Sequence, residues 1–438
     1  MNKISFKVGS GKLPVVESKK LEKKLQPYVK TLLDVTLDKK YTYDESSINL
    51  PIDSSLLRMV KKTVLQVKKP GLKFVVVIGI GGSNLGAKAV YTSVKGSYDS
   101  YSAKKGAKML FLDTTDQKVA EDLSSVLTTS VKRAQEVLIV VVSKSGMTTE
   151  TLANTEALLK RLRHIKNIEK RIVVISDKNS PLIRKAKKEK LSYLTIPEKV
   201  GGRFSVFSAV GLFPLAITGI DVEALRKGAT HARKASIQPS VRKNPAMASA
   251  IFQYYHFKER KTISDTFIFH PELESVGKWY RQLMGESLGK EKNKNGKNVH
   301  TGITPTVTIG STDLHSMGQL YMGGPKDKMT TFITTKHYPK CVPVPRDIFF
   351  DVLPDISGKC LSDIMEAIQS GTLGAYKRLS LPFSVLELDS ISEESLGEFL
   401  QMKMFEMMYL GYLLNVNTFN QPNIELYKSI TRKILKKS

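Results

Sequence analysis

A run of hydroxyl-bearing residues, Ser143-Lys144-Ser145-Gly146-Met147-Thr148-Thr149-Glu150-Thr151, follows an apolar stretch and leads into a helical pattern. Short neutral donors gathered at a helix N-terminus, where main-chain N–H groups point outward and the dipole favours negative charge, suit a phosphate monoester. A capping box with Thr148 or Thr149 as N-cap would use one hydroxyl and leave the others unexplained. A second string, Gly79-Ile80-Gly81-Gly82-Ser83-Asn84-Leu85-Gly86, ends another apolar run. A dinucleotide fingerprint would need glycine at 84, where Asn84 stands. A Walker A loop would need Lys-Ser or Lys-Thr directly after Gly86, which Ala87 and Lys88 follow instead. What remains is a tight turn without bulky side chains, either structural or ligand-holding. In a third string, Val200-Gly201-Gly202-Arg203-Phe204-Ser205, two glycines turn the chain sharply and bring one permanently charged guanidinium toward the sheet's ligand edge, either as a surface charge or as a contact for an anion.

The elements that must position these strings are legible as apolar runs alternating with helical patterns. KFVVVIGI (73–80), MLFLD (109–113), EVLIVVVS (136–143), RIVVISD (171–177) and SYLTIP (192–197) are each bounded by a helical stretch. Continuous β-branched runs suit strands buried on both faces, and strand–helix alternation implies a parallel, doubly wound α/β sheet. Open sheets of this kind bind ligands at the carboxyl ends of their strands, where all three strings lie. The pattern repeats more loosely in TISDTFIFH (262–270), PTVTIG (305–310), TFITT (331–335) and PFSVLELD (382–389), with long helices expected over roughly 392–416 and 424–437. The expected organisation is a polar helical extension over 1–47 packed on the outside, a first α/β domain over 48–220 and a second over 221–438.

Composition bounds the function. The 438 residues carry 68 Lys+Arg against 41 Asp+Glu, a formal charge of +27. The lysines are scattered and no zinc-finger, homeodomain or RRM signature accompanies them, so neither a nucleic acid nor a membrane is the expected partner. The longest apolar run, Val137 to Val142, is far short of the ~20 residues that span a bilayer. MNKISFKVGS has no secretory pattern, which points to the cytoplasm. Cys341 and Cys360 sit in no CxxC or Cys/His cluster and are expected to be reduced thiols.

Six strings in fixed order resemble the glucose-6-phosphate isomerase (phosphoglucose isomerase) family in its shorter bacterial form, over about 70–432. They are GIGGSNLG, SKSGMTTET, VGGRFSVFSAVGLFPLA, GESLGK (285–290), STDLHSMGQ (311–319) and FNQPNIELYK (419–428). The resemblance implies two tandem sugar-isomerase (SIS) domains, a homodimer with His315 donated across the interface, and neither metal nor cofactor. It implies interconversion of glucose 6-phosphate and fructose 6-phosphate in glycolysis and gluconeogenesis. By the same resemblance Gly82, Ser83, Ser143, Ser145, Thr148 and the Lys144 main chain would hold the phosphate. Arg203 would stabilise the enediolate, Glu286 would shuttle the proton, His315 and Lys428 would open the ring, and Gln421 would position the sugar. These residue types suit the chemistry: one carboxylate serves two neighbouring carbons, an arginine stays charged in a dry site, and histidine titrates near neutrality. The chain departs from the family at Met147, where threonine is usual, and at Pro422 and Asn423. A non-catalytic SIS-type sensor would keep the phosphate loop without Glu286, His315 and Lys428. An isomerase that also takes mannose 6-phosphate remains a second alternative.

Overall fold

The computed structural model describes residues 3–102, 106–338, 340–350 and 352–437. Its strands in chain order are β1 (Ile4–Ser10), β2 (Phe74–Ile78), β3 (Lys108–Leu112), β4 (Val137–Val142), β5 (Ile172–Asp177), β6 (Ser192–Ile196), β7 (Ile263–Ile268), β8 (Lys290–Lys292), β9 (Asn298–Thr301), β10 (Thr304–Ile309), β11 (Lys328–Thr335) and β12 (Phe383–Leu388). The chain divides into two compact units: Lys30–Thr230 with Lys278–Leu283, and the remainder from Met1–Val29, His231–Gly277 and Met284–Ser438.

In the Lys30–Thr230 unit the sheet order is β3-β2-β4-β5-β6, with every pairing parallel. β4 is buried at all six positions, as a central strand covered on both faces requires. Val76, Ile78, Ile139, Val141 and Val174 pack on one face with Leu158 and Leu162 of the Thr149–Leu162 helix, and alternate residues such as Val75, Val77 and Val140 are equally buried on the other. Each strand delivers its last residue to the same sheet edge, where the Gly- and Ser-rich strings begin.

The second unit has the order β1-β12-β11-β7-β10 and is parallel except for β1. Phe267, Phe332 and Phe383 form its aromatic core with Tyr376 and Tyr321. β8 and β9 form a separate antiparallel hairpin. The mainly parallel α/β class and all nine strands read from the sequence are present, as are the two C-terminal helices, Glu393–Leu414 and Ile424–Leu435.

Two features depart from expectation. Ile4–Ser10 form β1, which pairs antiparallel to β12 with Ile4 opposite Leu388, and the Lys3 N–H donates to the buried Glu398 carboxylate at 2.8 Å. A seven-residue edge strand with a polar outer face shows too little apolar alternation to stand out in sequence. Cys341 and Cys360 are not free thiols but form a disulfide, with Cα atoms 5.4 Å apart. The antiparallel bridge between Pro343 and Cys360 brings the two segments within reach. No helix among the described residues is long and apolar enough to cross a membrane.

Candidate active site

In the Lys30–Thr230 unit the turn after β2 is a short 3-10 segment, Gly81–Ser83, with Gly81 at φ +58°. A Cβ at Gly82 would lie 2.2 Å from the Gly202 carbonyl carbon and 2.6 Å from the Arg203 nitrogen. Only glycine at 82 therefore lets the two Gly-rich turns meet backbone to backbone. The Ser205 hydroxyl fastens the pair, donating to Gly202 O at 2.7 Å and Gly82 O at 3.3 Å. Arg203 sits in the Gly202–Phe204 turn and is only 3% exposed. Its charge stands in a drier setting than a surface arginine's, where an ionic interaction is stronger. Asn84, at the position a nucleotide fingerprint reserves for glycine, donates instead to Asp113 Oδ2 at 3.0 Å.

The loop after β4 is organised around Ser143. Its hydroxyl is 2.8 Å from that of Thr148 and accepts from the Gly146 N–H at 3.1 Å. Ser145 Oγ accepts from the Met147 N–H at 3.2 Å. Gly146 at φ +69° allows the reversal that folds these groups together. Thr148 occupies the N-cap position of the Thr149–Leu162 helix, yet its side chain makes no cap hydrogen bond. The capping-box explanation thus accounts for none of the hydroxyls. Lys144 turns its ammonium to Glu198 O at 2.7 Å, and Met147, where the resemblance leads one to expect threonine, is 58% exposed.

Two further residues of this unit were not singled out from the sequence. Asp177 ends β5; its N–H donates to Lys144 O at 3.1 Å, and burial pushes its carboxyl up to about 6 while Lys144 draws it down. Gln282 places Nε2 2.7 Å from where a Cβ at Gly81 would stand, so the absent side chain makes room for an amide. The spacing to Glu286, one helical turn on, was the available signal.

The remaining residues belong to the second unit. Glu286 lies in the last turn of the Glu274–Leu288 helix and is half-buried. Its carbonyl accepts from Lys290 Nζ at 2.7 Å, and the same ammonium donates to Asn420 O at 2.6 Å. The structure therefore brings the Glu286 helix end beside the loop that carries Gln421. His315 ends the Thr312–His315 turn that follows β10 and is exposed. That turn is pinned by Asp313, which accepts from Ile309 N–H at 2.7 Å and from the Ser316 hydroxyl at 2.9 Å. Lys428 stands on the Ile424–Leu435 helix, half-buried and paired with Glu425 at 2.8 Å. Gln421 is exposed, and Asn423, one of the departures, donates to Glu291 Oε2 at 2.7 Å.

A family model described as phosphoglucose isomerase matches residues 65–348. That stretch contains the Gly82, Ser143 and Arg203 turns, Glu286 and His315, and ends before Gln421 and Lys428. A glucose-6-phosphate isomerase of Methanocaldococcus jannaschii is 36% identical over 368 residues, covering 84% of this chain and 85% of the relative. One from Mycoplasmopsis synoviae is 35% identical, with 84% of each chain covered. Among solved structures, a hypothetical protein of Thermus thermophilus superposes with a TM-score of 0.85 at 27% identity, over 98% of this chain and 100% of the other. A glucose-6-phosphate isomerase of Chlamydia trachomatis shares the fold, with a TM-score of 0.82 at 19% identity over 100% of this chain and 89% of that one.

Proposed function

We propose that this chain, which belongs to the phosphoglucose isomerase family, interconverts glucose 6-phosphate and fructose 6-phosphate. The observation that carries the reading is the Ser143–Thr148 loop: its paired hydroxyls stand at a helix N-terminus without serving as caps, as a phosphate site requires. Gly82, Ser83, Ser145 and the Lys144 main chain complete the cradle. Ring opening moves a proton from the anomeric hydroxyl to the ring oxygen, which His315 and Lys428 serve. Glu286 then removes the proton from C2 of the open aldose, and the electron pair passes into a cis-enediolate. The same carboxyl returns the proton to C1 while the O2 hydroxyl proton passes to O1, which gives the ketose. Arg203 stabilises the oxyanion that develops between the two steps. Gln421 orients the sugar hydroxyls, and Gln282 supplies a second amide.

Both SIS-type domains and a homodimer belong to this reading, with His315 acting in the partner's site. The exposure of His315 on a turn that Asp313 holds rigid supports that arrangement. On the same reading the enzyme works in the cytoplasm, in glycolysis and gluconeogenesis. The test is a coupled assay of the purified protein on fructose 6-phosphate, with EDTA present and no metal added. Turnover is expected; binding of the sugar phosphate without turnover would favour the sensor reading instead.

A further inference from the structure

Lys290 follows the Glu274–Leu288 helix after Gly289, whose N–H closes the last helical turn onto Gly285 O at 3.0 Å. It is only 6% exposed. An ammonium taken out of water needs hydrogen bonds to hold it there. Two of its acceptors are main-chain carbonyls of different segments: Glu286 O at 2.7 Å and Asn420 O at 2.6 Å, 130 residues further along the chain. A helix C-terminus welcomes a cation and leaves carbonyls to be satisfied, which accounts for the first bond. It does not account for the second.

The neighbours of Lys290 fasten the same loop. Glu291 accepts from Asn423 Nδ2 at 2.7 Å, and the Lys294 N–H donates to Asn415 O at 2.8 Å. The segment 290–294 thus grips 415–423 at three points. Of these, the Lys290 contact alone also reaches the main chain of Glu286.

We propose that Lys290 is a positioning residue, which fixes the height of the Gln421 loop against the last turn of the Glu286 helix. Proton transfer by Glu286 and sugar orientation by Gln421 then keep one register, and the helix carrying Lys428 starts from a fixed point. The inference rests on the isomerase reading above. It also gives the departure at Asn423 a use, as the outer point of the grip.

The test compares Lys290→Met, which keeps the length and loses the donors, with Lys290→Arg, which keeps donors and charge. A misplacement of about 1 Å costs on the order of 100-fold in rate, so kcat on fructose 6-phosphate should fall by about that factor in Lys290→Met. KM should stay within about threefold, because the phosphate is held by the 143–148 loop. Lys290→Arg should regain about tenfold, which a role confined to filling space would not produce. Should Lys290→Met fail to fold, Asn423→Ala loosens the same loop at an exposed position, and kcat should fall several-fold at unchanged KM. Wild-type protein inactive on fructose 6-phosphate sinks the isomerase reading and this proposal together. Active wild type with an unchanged kcat in Lys290→Met, or in Asn423→Ala where that variant stands in, overturns the proposal alone. So does a loss that Lys290→Arg fails to recover.

Discussion

The carboxyl edge of the first sheet and the Glu286–His315–Lys428 set are built in opposite ways. The first is made of main chain: Gly82 and Gly202 interlock through their backbones, Gly146 reverses the Ser143 loop, and the hydroxyls involved are short and close to their own Cα atoms. The second is made of long side chains on a helix end, a turn and a C-terminal helix, each anchored by a different neighbour: Lys290, Asp313 and Glu425. On the proposed reading, the difference teaches that holding an anion and moving a proton make different structural demands. Many weak donors around a phosphate tolerate an exposed edge. A proton shuttle needs one group in one place, and its support comes from far along the chain.

Breaking the second set should have the largest effect. Glu286→Gln keeps the shape and loses the proposed base, so isomerisation should fall by about 10²–10⁴-fold. Acceleration of anomer exchange should survive, since His315 and Lys428 remain, and exchange spectroscopy by NMR reads the two rates separately. Near-wild-type isomerisation would mean that another residue is the base.

An attack on the Ser143 loop of the first set should appear mainly in KM. Ser143→Asp puts a carboxylate where the phosphate would lie, and losing a hydrogen bond to a charged group raises KM by roughly ten- to a hundredfold. Repulsion between like charges adds to that. An unchanged KM in a folded variant would place the phosphate site elsewhere. A main-chain counterpart is Gly82→Ala, in which a methyl group would meet the Gly202 backbone at 2.2 Å. The Arg203 turn must then shift, and kcat should drop by on the order of 10²-fold, the cost of about 1 Å of misplacement. Steady-state kinetics distinguishes the two variants: one moves KM, the other kcat.

The smallest effects are expected from two carboxyls outside both sets of chemistry, the half-buried Asp177 in one unit and the buried Glu398 in the other. Burial pushes Asp177 up to about 6 and Glu398 up to about 7, although the Lys3 and Ile4 N–H groups draw Glu398 back down. Both values lie above those of the unfolded chain, 3.8 and 4.5. Each folded carboxyl therefore binds its proton more tightly, so its contribution to stability is complete below the unfolded value and is lost as pH rises through the folded one. Against Asp177→Asn, the melting temperature of the wild type should fall between pH 4 and about 6 and then run parallel. Against Glu398→Gln, the fall should continue to about pH 7. Melting curves across pH 4–8 test both windows; a pH-independent difference for either pair would show that the carboxyl titrates normally.

How much of this was legible follows from the same contrast. The parallel strands of both sheets read directly from apolar runs, because a parallel strand covered on both faces must be apolar throughout. The turns proposed as the phosphate cradle read from local strings, since a turn that needs φ > 0, as at Gly81 and Gly146, leaves glycine in the sequence. Glu286, His315 and Lys428 were proposed only through the strings around them; nothing in their own types distinguishes them from other residues of the surface. β1 escaped notice because an edge strand with a polar face has no strong period, and the Cys341–Cys360 disulfide because pairing depends on where two segments meet.

The sequence by itself determined the α/β alternation, the Gly- and Ser-rich turns at strand ends and the residue types available for proton transfer. Those features are local: they depend on backbone dihedrals and side-chain periodicity over a few residues. The tertiary structure alone decided that Lys290 would join the Glu286 carbonyl to Asn420, that Gly81 would make room for Gln282, and that the Thr148 hydroxyl would face Ser143 rather than cap its own helix. Two of these contacts link segments far apart in the chain, and the third chooses between two partners within reach. Such choices are settled by packing, which excludes water and leaves each buried polar group only the partners that the fold brings near.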